Sequence, residues 1–156
     1  MESFTITHNS YLSKSVQAYY HQDYTTFGTE GNPDFINYLK NQFNSTNIET
    51  LKLGIKQLAD VLNDDLPKIK EKYSDLILTV CVIPRAKKES YYSENQKLFR
   101  KVISSVTDKL NGFINGTNYI TRHTNTITTH MYKSGHGGDG EMPYVGITKK
   151  TCNIST

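Results

Sequence analysis

Three cations follow the most apolar stretch of the chain within four positions. The segment VCVIPRAKK runs from Val80 through a proline to Arg85, Lys87 and Lys88. Arginine offers a forked set of donors and lysine a point charge, and both groups bind phosphate. A capped helix is predicted to begin shortly afterwards, and the N-terminal end of a helix attracts anions. The pattern indicates a phosphate or pyrophosphate site at these three cations, with a solvated loop as the alternative.

The histidines of the C-terminal part do not form a metal-binding pattern. His123, His130 and His136 are six or more residues apart and are followed by Asp139. Zinc ligands are usually held at short, fixed spacings on rigid elements. No metal site is predicted.

A glycine-rich segment, KSGHGGDGEMP, spans residues 133–143. A phosphate loop would end in Lys-Ser or Lys-Thr and continue into a helix, which this segment does not do. Its glycines predict that residues 134–140 form the most mobile internal part of the chain. We interpret the segment as a lid over a site or as a surface loop, and the lid would be formed by His136, Gly137, Gly138 and Asp139.

Length and composition favour one domain, residues 1–156, with an irregular and helical part (1–75) followed by a second part (76–156). The net charge of +3, from 18 basic and 15 acidic side chains, argues against nucleic acid as a partner. The N-terminus lacks the pattern of a signal peptide, and no apolar run is long enough to span a membrane. We therefore predict a cytoplasmic protein without a membrane partner.

The hydrophobic pattern predicts an α/β fold, with a small, mostly parallel sheet flanked by helices and a mainly helical N-terminal third. Residues 1–33 are interpreted as irregular, with one short strand near Phe4. Two helices follow, and Pro67 is predicted to end the second or to start a new turn. Residues 76–83 are predicted to form a central strand with neighbours on both sides. A helix over residues 94–110, capped by Ser93 and Gln96, and a second strand over residues 118–122 come next.

From Leu76 to Ile154 the order of features resembles the type I phosphoribosyltransferases, especially their competence-protein-like and amidophosphoribosyltransferase-like branch. The matching segments are VCVIPRAKK, the helix opening SENQ, TRHTNTITTHM, the glycine-rich stretch and YVGITKKTC. The resemblance implies that residues 84–88 bind pyrophosphate, with Asn95, Gln96 and Arg122 as supporting residues. It also implies that a flexible loop at roughly residues 123–143 closes over the substrate.

The chain departs from this family at its acidic motif. In the family, a strand that ends in two acidic residues and a loop for ribose 5-phosphate follow a segment like GITKKTC. Here the sequence ends at Thr156, and the acidic pair Asp64-Asp65 follows a helical stripe instead. The chain is interpreted as a family member that stops before its nucleotide-binding half. Catalysis is left open, and Mg²⁺ is expected only if the transferase chemistry is retained.

Two functions remain open from the sequence. The first is a phosphoribosyltransferase-like domain that binds a phosphorylated ribose, a nucleotide or pyrophosphate. The second is a non-catalytic protein-binding module, such as an inhibitor or accessory protein of a bacterial or phage conflict system. Its contact surface would be the tyrosine-rich N-terminal third, because tyrosine is enriched at interfaces.

Overall fold

The N-terminal segment forms a two-stranded antiparallel sheet. The computed structural model describes residues 1–10, 12–23, 36, 38–39, 47–125 and 152–155. Strand β1 (Glu2–Ile6) pairs with β2 (Val16–Tyr20), and backbone hydrogen bonds of 3.1 and 3.2 Å join Asn9 to Leu12 in the connection. The predicted strand near Phe4 is present as β1. The prediction of irregular structure is wrong for β2. Its polar and aromatic residues do not alternate clearly between apolar and polar, so the sequence gives no strand pattern there.

The two faces of this sheet differ in character. Phe4, Ile6 and Val16 share one face and are exposed, with Phe4 53% accessible. On the other face, the hydroxyl groups of Tyr19 and Tyr73 are 3.0 Å apart, which joins the sheet to the end of the following helix. The apolar face is therefore turned towards solvent in the part of the chain that the structure describes.

Helix α1 (Ile48–Lys72) is 25 residues long and begins at an asparagine cap. The side chain of Asn47 accepts hydrogen bonds from the backbone N–H groups of Glu49 and Thr50, at 3.0 and 2.9 Å. The prediction that the helix ends or restarts at Pro67 is wrong, because the helix passes through it. Proline in a helix interior costs about 3 kcal/mol. Burial of the α1 stripe against the next helix offsets this cost.

The middle of the chain forms a strand–helix–strand unit. Strand β3 (Leu78–Val80) leads through a short 3₁₀ helix (Glu89–Tyr91) to α2 (Glu94–Thr107), and β4 (Phe113–Asn115) then pairs with β3 in parallel. The predicted capping box is confirmed: the Ser93 hydroxyl accepts from the Gln96 N–H at 3.3 Å, and the Gln96 side chain accepts from the Ser93 N–H at 3.1 Å.

Helix α2 ends three residues earlier than predicted. A turn follows, in which Gly112 adopts a φ of +81°, a conformation that glycine adopts without strain. Phe113 consequently lies in β4. The spacing of apolar residues does not show at which residue a helix ends, because apolar residues continue into the turn and the next strand.

The prediction that residues 76–83 form a buried central strand is wrong. Only three of these residues pair, with β4 alone among the described strands, and Ile77 is 72% exposed. The partner strand ends at Asn115, where the N–H of Gly116 bonds to the carbonyl of Val80. Cys81, beyond this point, is an exposed free thiol. The apolar run is longer than the partner available to it.

Strand β5 (Ile120–Arg122) forms the remaining pair with β6 (Cys152–Ile154), in antiparallel orientation. The predicted strand at residues 118–122 therefore exists, but it belongs to a different sheet from β3. The ladder places the carboxyl end of β5, at Arg122, opposite the buried Cys152.

The predicted fold class is wrong for the described residues. They form two long helices and three two-stranded sheets, one parallel and two antiparallel, and the N-terminal third contains β1 and β2. A parallel sheet needs several strands covered on both faces. Here each strand finds a single partner, and the helices pack mainly on each other. The buried apolar residues of this core are Leu39, Leu58, Val82, Val102, Ile103 and Val106.

Arg100 of α2 is buried and joins three parts of the chain. Its Nη1 donates to the carbonyl of Thr117 and, at 3.4 Å, to Oδ1 of Asn118. Its Nη2 donates to the carbonyl of Ile120 at 3.5 Å, and its Nε is 3.8 Å from a carboxylate oxygen of Glu89. A buried charge is tolerated when its donors are used in this way.

Replacing Arg100 with alanine should lower the free energy of unfolding by about 2–4 kcal/mol. Hydrogen bonds to a charged group contribute about 1.5–3 kcal/mol each and are not additive, and the carbonyl acceptors lose their donor. Urea unfolding measures the change. The exposed neighbour Lys101→Ala is the control, with a change of less than about 0.5 kcal/mol. Equal stability of both variants would show that Arg100 does not hold these segments together.

Candidate anion-binding site

The loop that carries the three predicted cations is held at both of its ends. Pro84 is buried, and the backbone N–H of Arg85 donates to the hydroxyl of Tyr92 at 2.8 Å. At the other end, the N–H of Lys88 donates to Oδ1 of Asn125, also at 2.8 Å. Sequence reasoning missed both partners: Asn125 is 37 positions from Lys88, and the contact of Tyr92 requires the chain to fold back across the 3₁₀ helix. The side chains of Arg85 and Lys87 are exposed.

Arg122, a supporting residue in the sequence analysis, contacts this loop directly. Its Nε donates to the carbonyl of Arg85 at 2.5 Å, so the last residue of β5 lies against the loop. Its Nη1 is buried and has no hydrogen-bond partner in the described part of the chain. An unsatisfied buried donor costs about 1–3 kcal/mol, and more when it is charged. The site thus contains a guanidinium nitrogen to which no described residue offers an acceptor.

The cations of this site form no ion pair with the acidic side chains that the structure describes. The ion pairs found among the described residues involve other side chains, and none includes Arg85, Lys87, Lys88 or Arg122. The nearest acid along the chain, Glu89, faces Arg100 instead. The positive charge of the loop is therefore not balanced locally by the residues that the structure describes.

The N-terminus of α2 is already capped by side chains of the helix's own first turn. The Gln96 amide is used in the capping box, and Asn95 lies half-buried in the first turn. Glu94 is exposed and binds Lys97 at 2.7 Å, and this hydrogen bond lowers the pKa of the Glu94 carboxyl below its ordinary value. A carboxylate in the first turn already complements the helix dipole. The positive potential at the site therefore comes mainly from the loop and Arg122.

An open groove of about 450 Å³ lies along the polar face of α2. Lys97, Lys101 and Lys109 line it together with Glu89 and Asp108, and residues 117–118 form its far wall. The donors of Arg100 at its base are already used within the protein. The groove has mixed charge, which makes it a weaker candidate for an anion than the loop.

The predicted lid residues, His136, Gly137, Gly138 and Asp139, lie outside the described residues, as does the rest of the glycine-rich segment. Their relation to the loop at residues 84–88 therefore stays a prediction.

The chain matches no protein-family model, no curated protein and no solved structure. The resemblance to the type I phosphoribosyltransferases therefore stays a prediction. Neither α1 nor α2, the long helices of the described part, has the length and apolar character needed to cross a membrane.

Tyr92 provides a test of how the loop is held. Burial raises the pKa of its hydroxyl, while the hydrogen bond from Arg85 and the charges of Arg85 and Arg100 act in the opposite direction. Folding therefore favours the neutral phenol. The resulting stability is present below the ordinary pKa of about 10 and is lost as the pH rises through the raised pKa.

Tyr92→Phe should lower the free energy of unfolding near neutral pH by about 0.5–1.5 kcal/mol, because the N–H of Arg85 loses its acceptor. The difference from wild type should shrink above pH 10. Unfolding measured from pH 8 to pH 11 tests this, and absorbance titration should show one late-ionising tyrosine missing. The exposed neighbour Tyr91→Phe serves as the control. A loss of the late titration in Tyr91→Phe instead would contradict the assignment.

Proposed function

We propose that the protein binds a phosphorylated small molecule through Arg85, Lys87, Lys88 and Arg122. The ligand is pyrophosphate or the phosphate groups of a ribose phosphate or nucleotide. The observation that carries the proposal is the contact between the Arg122 guanidinium and the Arg85 carbonyl. It brings a fourth cation to the loop, and none of the four forms an ion pair with a described carboxylate.

Phosphate groups suit this arrangement better than a single carboxylate. Like charges carried by one short loop and the arginine that contacts it repel one another, and a ligand with several negative charges relieves that repulsion. The exposed Arg85 and Lys87 can contact it without displacing protein groups. A small movement of the loop would also give the buried Nη1 of Arg122 an acceptor. Two backbone N–H groups of the loop are already engaged by Tyr92 and Asn125, so the side chains supply most of the donors.

The proposal concerns binding and not transfer chemistry. A phosphoribosyltransferase needs acidic residues for the ribose hydroxyls and Mg²⁺. Glu89, the acid next to the loop, is turned to the buried Arg100. None of the ion pairs among the described residues brings a carboxylate to Arg122 either.

Replacing Arg85 and Lys87 together with alanine should weaken pyrophosphate binding by about 2–4 kcal/mol, taking about 1.5–3 kcal/mol for each charged hydrogen bond and allowing for non-additivity. This corresponds to roughly a 30- to 700-fold rise in Kd. Calorimetric titration measures it. Stability should change little, because both side chains are exposed.

The matched control is Lys52→Ala/Lys56→Ala. It removes the same net charge from exposed positions of α1, where side-chain accessibilities are 65% and 73%. Its pyrophosphate affinity should equal that of the wild type. Failure of the wild type to bind pyrophosphate or any nucleotide, or equal binding by the loop variant, would contradict the proposal.

Thermal unfolding with and without nucleotides separates this function from the alternative of a protein-binding module. A ligand that binds only the folded state raises its stability according to its concentration relative to Kd. A protein-binding module would show no such shift. The exposed apolar face of β1 and β2, at Phe4, Ile6 and Val16, would then be the candidate surface for contact with a protein partner.

A further inference from the structure

A histidine and two aspartates lie together at the junction of the N-terminal sheet and α1. His21 directly follows β2, and Asp64 and Asp65 lie in the second half of the helix. Nδ1 of His21 is 2.9 Å from Oδ2 of Asp65, and one ligand atom from each of the three residues lies within 4.8 Å of the others. Residues more than forty positions apart thus present one nitrogen and two carboxylate oxygens to a common point.

One oxygen of this cluster lacks a hydrogen-bond donor. The side chain of Asp65 is only 13% exposed, and its Oδ1 atom is buried without a hydrogen bond from any described residue. The α-amino group of Met1 lies 3.9 Å away, too far to donate. Lys68 binds Asp64 at 2.5 Å on the outer side of the helix. Apart from the Met1 ammonium at 3.9 Å, no described residue satisfies this buried oxygen of Asp65, and a cation bound beside it would do so.

We propose that His21, Asp64 and Asp65 bind a divalent transition-metal ion, with Zn²⁺ as the probe. Imidazole with carboxylates is a ligand set that suits zinc, whereas Mg²⁺ and Ca²⁺ prefer oxygen alone. Zinc binds these groups at about 2.0–2.2 Å, so tetrahedral ligand atoms lie about 3.4 Å apart. The hydrogen-bonded pair of His21 and Asp65, now 2.9 Å apart, would open by about 0.5 Å to admit the ion, and Asp64 would reach it by a side-chain rotation that releases Lys68.

The metal would fix the end of β2 to the middle of the chain. The hydrogen bond between His21 and Asp65 already joins these elements. A bound ion would replace it with two metal–ligand bonds, one to each side chain, which are stronger. Because the site shares no residue with the loop at residues 84–88, the two proposals succeed or fail independently.

The test is calorimetric titration of the untagged protein with ZnCl₂. One ion per chain is expected in the wild type, and His21→Ala and Asp65→Asn should each raise Kd at least about tenfold. His21 is exposed, so its variant should fold even if Asp65→Asn does not. The controls are His8→Ala and Asp60→Asn, exposed residues outside the cluster, which should bind like the wild type.

Two further measurements make the outcome decisive. Zn²⁺ should raise the midpoint of thermal unfolding in the wild type and in both controls but much less in His21→Ala. Co²⁺ should give a visible absorption spectrum that changes when His21 is removed. Absence of zinc binding in the wild type, or equal binding by His21→Ala, would overturn the proposal. In the second case the ion would be held by other residues, such as the histidines beyond residue 122.

Discussion

The buried charge of Arg100 is the constraint on which the second half of the structure depends. Arg100 is only 8% exposed, so the donors of its guanidinium group must be satisfied, and here the acceptors come from the turn at Thr117 and from Ile120 at the start of β5. The same side chain faces Glu89 in the 3₁₀ helix. One residue of α2 thereby sets the positions of the segments before and after it. Because the apolar core packs against the other side of α2, the helix cannot easily shift to expose Arg100, and a buried charge without hydrogen-bond partners would be costly.

The candidate anion site follows from that constraint. Because the start of β5 is fixed by Arg100, its last residue, Arg122, lies against the carbonyl of Arg85. The N-terminal sheet is attached differently, by polar contacts of Tyr19 and His21 with α1. In the described part of the chain its apolar side chains are exposed, and its attachment consists of these hydrogen bonds and an edge-to-face contact between the rings of Tyr19 and Tyr73. The described residues therefore include a cationic loop supported by the core and a sheet joined to α1 by hydrogen bonds and a tyrosine ring contact.

Local features of the sequence predicted local structure well. The capping box of Ser93 and Gln96 was recognisable because both partners lie within one helical turn, where backbone geometry alone brings them together. The helix predicted from residue 94 and the strand near Phe4 also depend on residues close together in sequence. The cationic loop was also identified from adjacent residues. The contact between Arg122 and this loop was not derivable, since 37 positions separate the hydrogen-bonded residues.

Tertiary structure alone decided which strands pair and which distant side chains meet. The apolar run at residues 76–83 determined a tendency to form a strand, but the length of β4 limited the ladder to three residues. Which strand β5 joins was decided by the position of residues 152–154. His21 met Asp65 because the sheet folds back onto α1. Hydrophobic periodicity and capping depend on neighbours along the chain, whereas strand pairing and the meeting of side chains depend on where distant segments lie.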